Sequence, residues 1–294
     1  MTILEINNLS KSYGKIQAIK ELSLSVQEGM VYGILGPNGS GKTTTLSIIT
    51  GILKPHAGSY RWFEQTPANW LNRKIGSLIE VPYFYPYLSL FNNLKIHSLI
   101  KDVPYEDIDR VLKITGLLER KGSRFDTLSL GMKQRLALAS VLLGDPEVLV
   151  LDEPANGLDP EGIAEVRNII NMEADKGKTI ILASHILDEV EKVCSHVGVL
   201  KWGKLIASGK VNELLREDDT LIICSENMRA LHELLVRAGF VKTIDTGENE
   251  MTLTLAEGKT AAELNTFAFK NGFTLSRLGI KKQSLESQFL ELVR

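Results

Sequence analysis

No stretch of this sequence is apolar for long enough to cross a bilayer. The longest apolar runs, such as residues 148–151 and 180–183, fall far short of the roughly 18 residues a spanning helix needs. The chain is therefore not expected to cross a membrane by itself. Its start, Met1-Thr2-Ile3-Leu4-Glu5-Ile6, lacks a basic region followed by an apolar stretch, so no secretory signal is expected and the compartment should be the cytoplasm. Cysteine is scarce: Cys194 and Cys224 are the only two, without metal-ligand spacing, and read most simply as reduced core thiols. There is also no excess of charge of either sign. Lys and Arg number 34 against 36 Asp and Glu, a formal net charge of −2, which argues against non-specific nucleic-acid binding but leaves a local basic patch open.

What is present is an ordinary globular composition, 44% hydrophobic and 24% charged, that indicates neither disorder nor a membrane-embedded fold. At 294 residues the chain can bury a substantial core, as one large domain plus a small one or as two of middling size. Residues 3–9 alternate in the manner of a strand and run into a turn at Tyr13-Gly14-Lys15. A second strand pattern covers residues 22–26 and ends at the Glu28-Gly29 turn. Residues 30–35 then form a short apolar strand, followed by a glycine-rich loop and a helical pattern over 43–50, with Gly51 at the usual stopping place. From about residue 81 to 143 the pattern turns helical, with Asp107, Val111, Ile114 and Leu118 at near-helical spacing. Alternation of strand and helix then returns: strands at 148–151, 179–183 and 197–201, helices at 161–175 and 187–194. Such alternation implies a mainly parallel sheet covered on both faces. After the charged stretch 213–219 a second domain is expected, with strands at 221–224 and 251–255, helices at 228–238 and 261–270, and a last strand and helix.

The loop after the strand 30–35 reads Gly36-Pro37-Asn38-Gly39-Ser40-Gly41-Lys42-Thr43. It matches G-x-x-x-x-G-K-[ST] in the required context, with an apolar strand before and a helix after. Glycines at these places let successive N–H groups turn inward as an anion-binding nest, to which the positive end of the following helix adds. Phosphate is the natural guest. Lys42 supplies a point charge for the β- and γ-phosphates and the Thr43 hydroxyl is a candidate Mg²⁺ ligand; Thr44 follows in the helix's first turn.

The strand 148–151 ends in Asp152-Glu153, two carboxylates at the carboxyl end of a buried strand, where α/β sheets place ligand chemistry. Alone, two acids after a strand more often start a turn or helix. With a phosphate loop upstream, Asp152 is the expected metal carboxylate and Glu153 the group that orients and polarises an attacking water. His185, after the strand 179–183, is placed to reach a γ-phosphate from a neighbouring strand end.

At this point residues 1–216 resemble the nucleotide-binding domain of ABC transporters. Tyr13 is similar in position to the aromatic that stacks on adenine, and residues 36–43 to the phosphate loop. Leu128-Ser129-Leu130-Gly131-Met132 sits at the signature, Asp152-Glu153 ends the Walker B strand, Gly157-Leu158-Asp159 resembles the D-loop, and His185 the switch histidine. The resemblance implies an α/β P-loop NTPase with a mainly parallel sheet, an N-terminal antiparallel β part, a helical insert at about 82–143, and a small C-terminal α/β accessory domain at 217–294. It implies ATP held by Tyr13, Asn38, Gly39, Ser40, Gly41, Lys42, Thr43 and Thr44, and Mg²⁺ held by Thr43, Asp152 and the residue at position 80. It also implies a head-to-tail pair, homodimeric or heterodimeric, in which Ser129, Gly131, Met132 and Asp159 meet the ATP of the other subunit. Separate transmembrane permease subunits would place the pair on the inner face of the cell membrane, with no nucleic-acid partner.

The departures are informative. Leu130 and Met132 stand where the usual signature has Gly and Gln, and Ala155 where the D-loop normally opens with Ser or Thr. Ile75-Gly76-Ser77-Leu78-Ile79-Glu80 ends in Glu80 where the family normally has a Gln that touches Mg²⁺. Either Glu80 adds a carboxylate at the metal or it is an ordinary surface acid. This Glu, with Ser129-Leu130-Gly131-Met132-Lys133-Gln134-Arg135, is similar to the ATPases of bacterial exporters that protect against lantibiotic- or bacitracin-type antibiotics. The expected function is thus the ATP-hydrolysing motor of an exporter of a peptide antibiotic, drug or lipid-like substrate. The aromatic run Tyr83-Phe84-Tyr85-Pro86-Tyr87 would either receive a permease segment or pack the helical insert. The alternative function, a soluble ABC ATPase acting on ribosomes or DNA, would usually carry a second such domain or long coiled-coil insertions, and neither pattern occurs. A module that holds ATP without turnover is opposed by Glu153 and His185.

Overall fold

The computed structural model describes residues 1–66, 71–80, 83–214, 220–247, 250–256 and 258–281. The chain divides into two compact units, Met1–Leu214 and Leu215–Arg294. The first opens with two long strands, β1 (Thr2–Tyr13) and β2 (Ile16–Gln27), paired antiparallel. β2 starts six residues earlier than alternation suggests, and register shifts around Leu9, Lys11 and Ser12 absorb its irregular first half. Next come β3 (Val31–Leu35), α1 (Lys42–Ile49) and β4 (Ala57–Trp62). β4 joins the far side of β1 and completes a three-stranded antiparallel sheet, β2-β1-β4. The sequence gives little sign of β4, because five of its six residues are exposed or half-buried. Its last residue, Trp62, is fully buried, and the indole Nε1 donates to the Ile49 carbonyl at 2.7 Å, tying this sheet to the end of α1.

A short helix, α2 (Leu71–Lys74), leads into β5 (Ile75–Leu78). The helical insert follows: α3 (Leu90–Lys101), α4 (Asp107–Ile114) and α5 (Leu130–Leu142). Ser89 caps α3 and Ser129 caps α5, each accepting a backbone N–H three residues on. The orphan carbonyls at the end of α5 are met by the ammonium of Lys101, which donates to Ser140 and Val141 at 2.9 Å, and by Arg110, which donates to Leu142 at 2.9 Å. Burial pulls the Lys101 amine down to about 8, against the opposing pull of Asp107.

The remaining elements of the first unit are β6 (Val148–Asp152), α6 (Pro160–Asp175), β7 (Thr179–Ser184), α7 (Leu187–Val193), β8 (His196–Lys201), β9 (Lys204–Lys210) and α8 (Val211–Leu214). Six strands form one sheet in the order β5-β6-β7-β3-β8-β9. All pairs are parallel except β8 with β9, a hairpin closed by Trp202-Gly203. β3, β6 and β7 are buried at every position, as expected of strands covered on both faces. Their register puts Asp152 beside Ala183 and Leu35 beside Ser184, so all three strands end at one edge of the sheet.

The second unit runs β10 (Thr220–Ser225), α9 (Met228–Arg237), β11 (Val241–Thr246), β12 (Met251–Leu255), α10 (Ala261–Lys270) and β13 (Leu275–Lys281). Its sheet, β11-β12-β10-β13, is antiparallel throughout. This is the split β-α-β-β-α-β arrangement. Leu221, Ile223, Met251 and Leu253 from the strands form one core with Leu231, Leu235, Leu264 and Ala268 from the helices. β11 escapes sequence reading because only Val241 and Ile244 of its six residues are apolar and it pairs on one side alone. Residues 282–294, where the expected last helix would fall, lie outside the described residues, as does the expected boundary between 216 and 217.

Among the described residues no helix is long and apolar enough to cross a membrane. Cys194 is buried and Cys224 half-buried, and neither is in a disulfide. Burial pushes the Cys194 thiol up to about 12, with Glu189 adding to the shift. Iodoacetamide at pH 8 should therefore alkylate the native protein at Cys224 while sparing Cys194, as read by peptide mass; equal labelling of both would contradict this packing.

Candidate nucleotide site

The loop between β3 and α1 has the shape that its glycines allow. Gly39 and Gly41 take left-handed φ angles of 80° and 107°. A Cβ on Gly36 would sit 2.4 Å from the Leu200 carbonyl oxygen, and one on Gly41 2.6 Å from that of Ala18. The loop is thus wedged between β8 and β2, and only glycine fits at either place. The first turn of α1 carries no acidic side chain, leaving its N–H groups open to an anion. Asn38 and Gly39 are exposed, Thr43 and Thr44 half-buried, and Ser40 is buried with no partner for its hydroxyl among the described residues.

Lys42 is only 5% exposed, and its ammonium is held by the loop itself, donating to the Gly36 carbonyl at 2.8 Å. From there a chain of charge crosses the sheet edge. Lys42 Nζ lies 3.3 Å from Glu153 Oε1, and Glu153 Oε2 lies 2.8 Å from His185 Nδ1. Three sequence motifs meet in this contact. Glu153 has a left-handed φ of 47° and Glu80 one of 60°. Each such residue costs on the order of 1–3 kcal/mol, so local backbone strain gathers at two acids that act on the field around Asp152.

Asp152 is buried beside Glu153. Burial raises its carboxyl above the usual range; the hydrogen bond from Thr43 and the charge of Lys42 oppose this, while Glu153 and Glu80 add to it. Glu80 is thus within electrostatic reach of Asp152. Asp152 Oδ1 has no hydrogen-bond partner among the described residues. A buried, unpartnered carboxylate oxygen beside a threonine hydroxyl suits Mg²⁺, which takes its other ligands from phosphate and water. No three-acid or imidazole cage is formed among the described residues.

A second grouping lies elsewhere. Ser129, Gly131, Met132 and Asp159 line one cavity of about 460 Å³ with Leu130, Gly157 and Leu158. The cavity is framed by two helix N-termini: Ser129 accepts from Met132 N–H at 3.3 Å, and Asp159 accepts from Gly162 N–H at 2.9 Å. Its wall is braced by Arg135, whose Nε lies 3.2 Å from Glu165 Oε2. The sequence reading named Arg135 only as the end of the signature stretch and passed over Glu165; the two join only once α5 packs on α6. None of the lining residues belongs to the phosphate loop or to the Asp152, Glu153 and His185 group.

Tyr13, at the end of β1, is exposed, with the Lys11 ammonium 5.8 Å above its ring. Sequence reading also passed over Ser184 and Glu189, directly behind His185. Their only sequence signal is an acid in the first turn of the helix that follows His185, which brings Glu189 back to the last residue of β7.

The family profile described as ABC transporter matches residues 19–156. Bacitracin transport ATP-binding protein BcrA of Bacillus licheniformis is 34% identical over 308 residues, covering 99% of this chain and 97% of that protein. Lantibiotic transport ATP-binding protein SrtF of Streptococcus pyogenes is 41% identical over 204 residues, 69% of this chain and 89% of that one. Among solved structures, cbiO1 from Clostridium perfringens, part of the ABC transporter complex cbiONQ, is 30% identical, with a TM-score of 0.66 over 80% of this chain and 95% of its own. The ADP conformation of MJ1267, an ATP-binding cassette of an ABC transporter, is 28% identical, with a TM-score of 0.66 over 72% of this chain and 92% of its own. With the phosphate loop and the carboxylate edge in place and relatives aligned along nearly its whole length, this chain belongs to the ABC transporter family as one of its ATP-binding, ATP-hydrolysing subunits.

Proposed function

We propose that this subunit powers export of a peptide antibiotic, drug or lipid-like substrate, working as a head-to-tail pair with separate permease subunits on the inner face of the cell membrane. The observation that carries the pairing is the separation of the two groupings. Phosphate grip and water activation lie at the sheet edge, whereas Ser129, Gly131, Met132 and Asp159 line a cavity that shares no residue with it. A second copy, or a similar subunit, would bring its own such cavity over the phosphate loop. There Ser129 and the N–H groups of α5 would face the γ-phosphate with the helix dipole behind them.

In this scheme Tyr13 stacks on adenine, and the backbone of Asn38 to Thr44 wraps the phosphates. Lys42 swings its charge from the Gly36 carbonyl to the β- and γ-phosphates. Asp152 and Thr43, with Glu80 nearby, would hold Mg²⁺, which when bound neutralises charge on the phosphate oxygens. Glu153 accepts a proton from the attacking water. His185, already against Glu153, orients that carboxylate and donates to the γ-phosphate. Residues 217–294 serve as an accessory domain in support of the pair or its regulation.

The cargo class is taken from relatives named for bacitracin and lantibiotic transport. A surface suited to a permease is present as well. Tyr83, Tyr85 and Tyr87 are 81%, 40% and 64% exposed and pack in T-shaped pairs, Tyr83 with Tyr85 and Tyr85 with Tyr87, while Phe84 between them is buried against Phe125 and His97. One ring anchors the run in the insert and three stay free, the pattern of an aromatic interface core.

Glu153→Gln should keep ATP affinity while hydrolysis falls at least about a hundredfold; unchanged turnover would remove Glu153 as the base. Glu80→Gln should move the Mg²⁺ concentration that gives half-maximal hydrolysis, and an identical titration curve would make Glu80 a surface acid. Affinity purification from solubilised membranes should bring down a permease; recovery of ribosomes instead would overturn the transport reading.

A further inference from the structure

Behind His185 lies a carboxylate that the scheme above leaves unused. Glu189 is the third residue of α7 and is only 8% exposed. Its Oε2 accepts the Ser184 hydroxyl at 3.1 Å, while Oε1 has no hydrogen-bond partner among the described residues. Burial raises the Glu189 carboxyl above its usual range, and the bond from Ser184 opposes that shift. A leucine at this place would avoid the desolvation that an acid must bear. A carboxylate kept here needs a task.

The task is visible in Ser184. This residue is the wholly buried last position of β7, and its hydroxyl oxygen accepts the Ile186 N–H at 3.0 Å. The hydroxyl has one proton and two acceptors in range, Glu189 Oε2 at 3.1 Å and the Ile186 carbonyl at 3.4 Å. The carboxylate is the nearer and, when ionised, the stronger acceptor. With the proton committed to Glu189, the lone pairs of Ser184 are turned to the Ile186 N–H. The residues on both sides of His185 are then fixed by one hydroxyl, and that hydroxyl is fixed by Glu189. His185 meets Glu153 across only 2.8 Å, a contact that a looser turn would not hold. Glu189 also sits in the first turn of its helix, where the helix dipole favours a negative charge.

We propose that Glu189 is a positioning residue for ATP hydrolysis: through Ser184 it clamps the turn that presents His185 to Glu153 and to the γ-phosphate. The inference rests on the reading of His185 as a γ-phosphate contact given above. It separates the hydrogen bond of Glu189 from its charge, since a glutamine oxygen accepts the same hydroxyl.

The test is steady-state Mg-ATP hydrolysis by the full chain carrying Glu189→Ala, Glu189→Gln, Ser184→Ala, the Glu189→Ala/Ser184→Ala double change, or His185→Ala, each checked for folding by thermal unfolding. Glu189→Ala should lower kcat about tenfold with KM for ATP within about twofold, because geometry is lost and nucleotide contacts are not. Glu189→Gln should recover most of the rate. Ser184→Ala should match Glu189→Ala, and the double change should be no worse than either, as for two members of one clamp. Full kcat in a folded Glu189→Ala protein, a glutamine as impaired as alanine, or additive losses would each overturn the clamp. If Glu189→Ala does not fold, Ser184→Ala compared with Glu189→Gln decides the matter in the same terms. His185→Ala keeps the two ideas apart: normal turnover there removes the histidine itself, whereas loss at His185 with none at Glu189 removes only the clamp.

Discussion

The contact on which the site depends is the one between Lys42 and Glu153. Lys42 opens the helix after β3 and Glu153 follows β6, yet their charged ends lie 3.3 Å apart at the sheet edge. That approach is possible because β6, β7 and β3 are parallel neighbours in a register that ends them together. It also needs the glycines at 36 and 41, since any side chain there would strike the backbone of β8 or β2 and push the loop away. Buried charge is costly unless it is well partnered. Here the partners are supplied by loop carbonyls on one side and His185 on the other. The fold thus spends its most regular strands on holding a few charges in close array, and the proposed phosphate chemistry would use those same charges.

Much of this was legible in the sequence because it depends on short-range chemistry. A glycine-rich loop between strand and helix, two acids at the end of an apolar run, and a histidine after the next strand each carry a physical meaning at their own place in the chain. The parallel sheet was readable for the same reason, since its central strands β3, β6 and β7 are largely apolar and buried at every position. What escaped was whatever depends on pairing across long separations. β4 and β11 carry too little apolar surface to announce themselves and are strands because a neighbour offers a hydrogen-bonding edge. The antiparallel course of the second sheet follows from β11 returning directly into β12, which strand and helix alternation alone does not reveal. The Ser184 and Glu189 bond, the Arg135 and Glu165 brace, and the meeting of Lys42, Glu153 and His185 are likewise products of packing.

The departures from the common family pattern fall at two places with different physics. Leu130 and Met132 face the cavity that begins at Ser129, so they change the polarity of its rim and leave the capping hydroxyl in place. Glu80 instead changes the field at Asp152, an acid already raised by burial, and does so from a strained backbone position. The first kind of change tunes what the cavity meets. In the proposed scheme the second tunes the charge that the sheet edge would present to a nucleotide. The two kinds can therefore be varied independently.

The central claim is that the sheet edge and the Ser129 cavity act on the same ATP only when they come from different subunits. The most direct measurement mixes two inactive variants, Lys42→Ala and Ser129→Ala, and follows ATP hydrolysis as their proportions are varied. In a head-to-tail pair, one of the two composite sites in a mixed dimer has an intact Lys42 from one subunit and an intact Ser129 from the other. Activity absent from either variant alone should return on mixing and peak near equal amounts. A mixture as inactive as its components, with mixed dimers present, would contradict it.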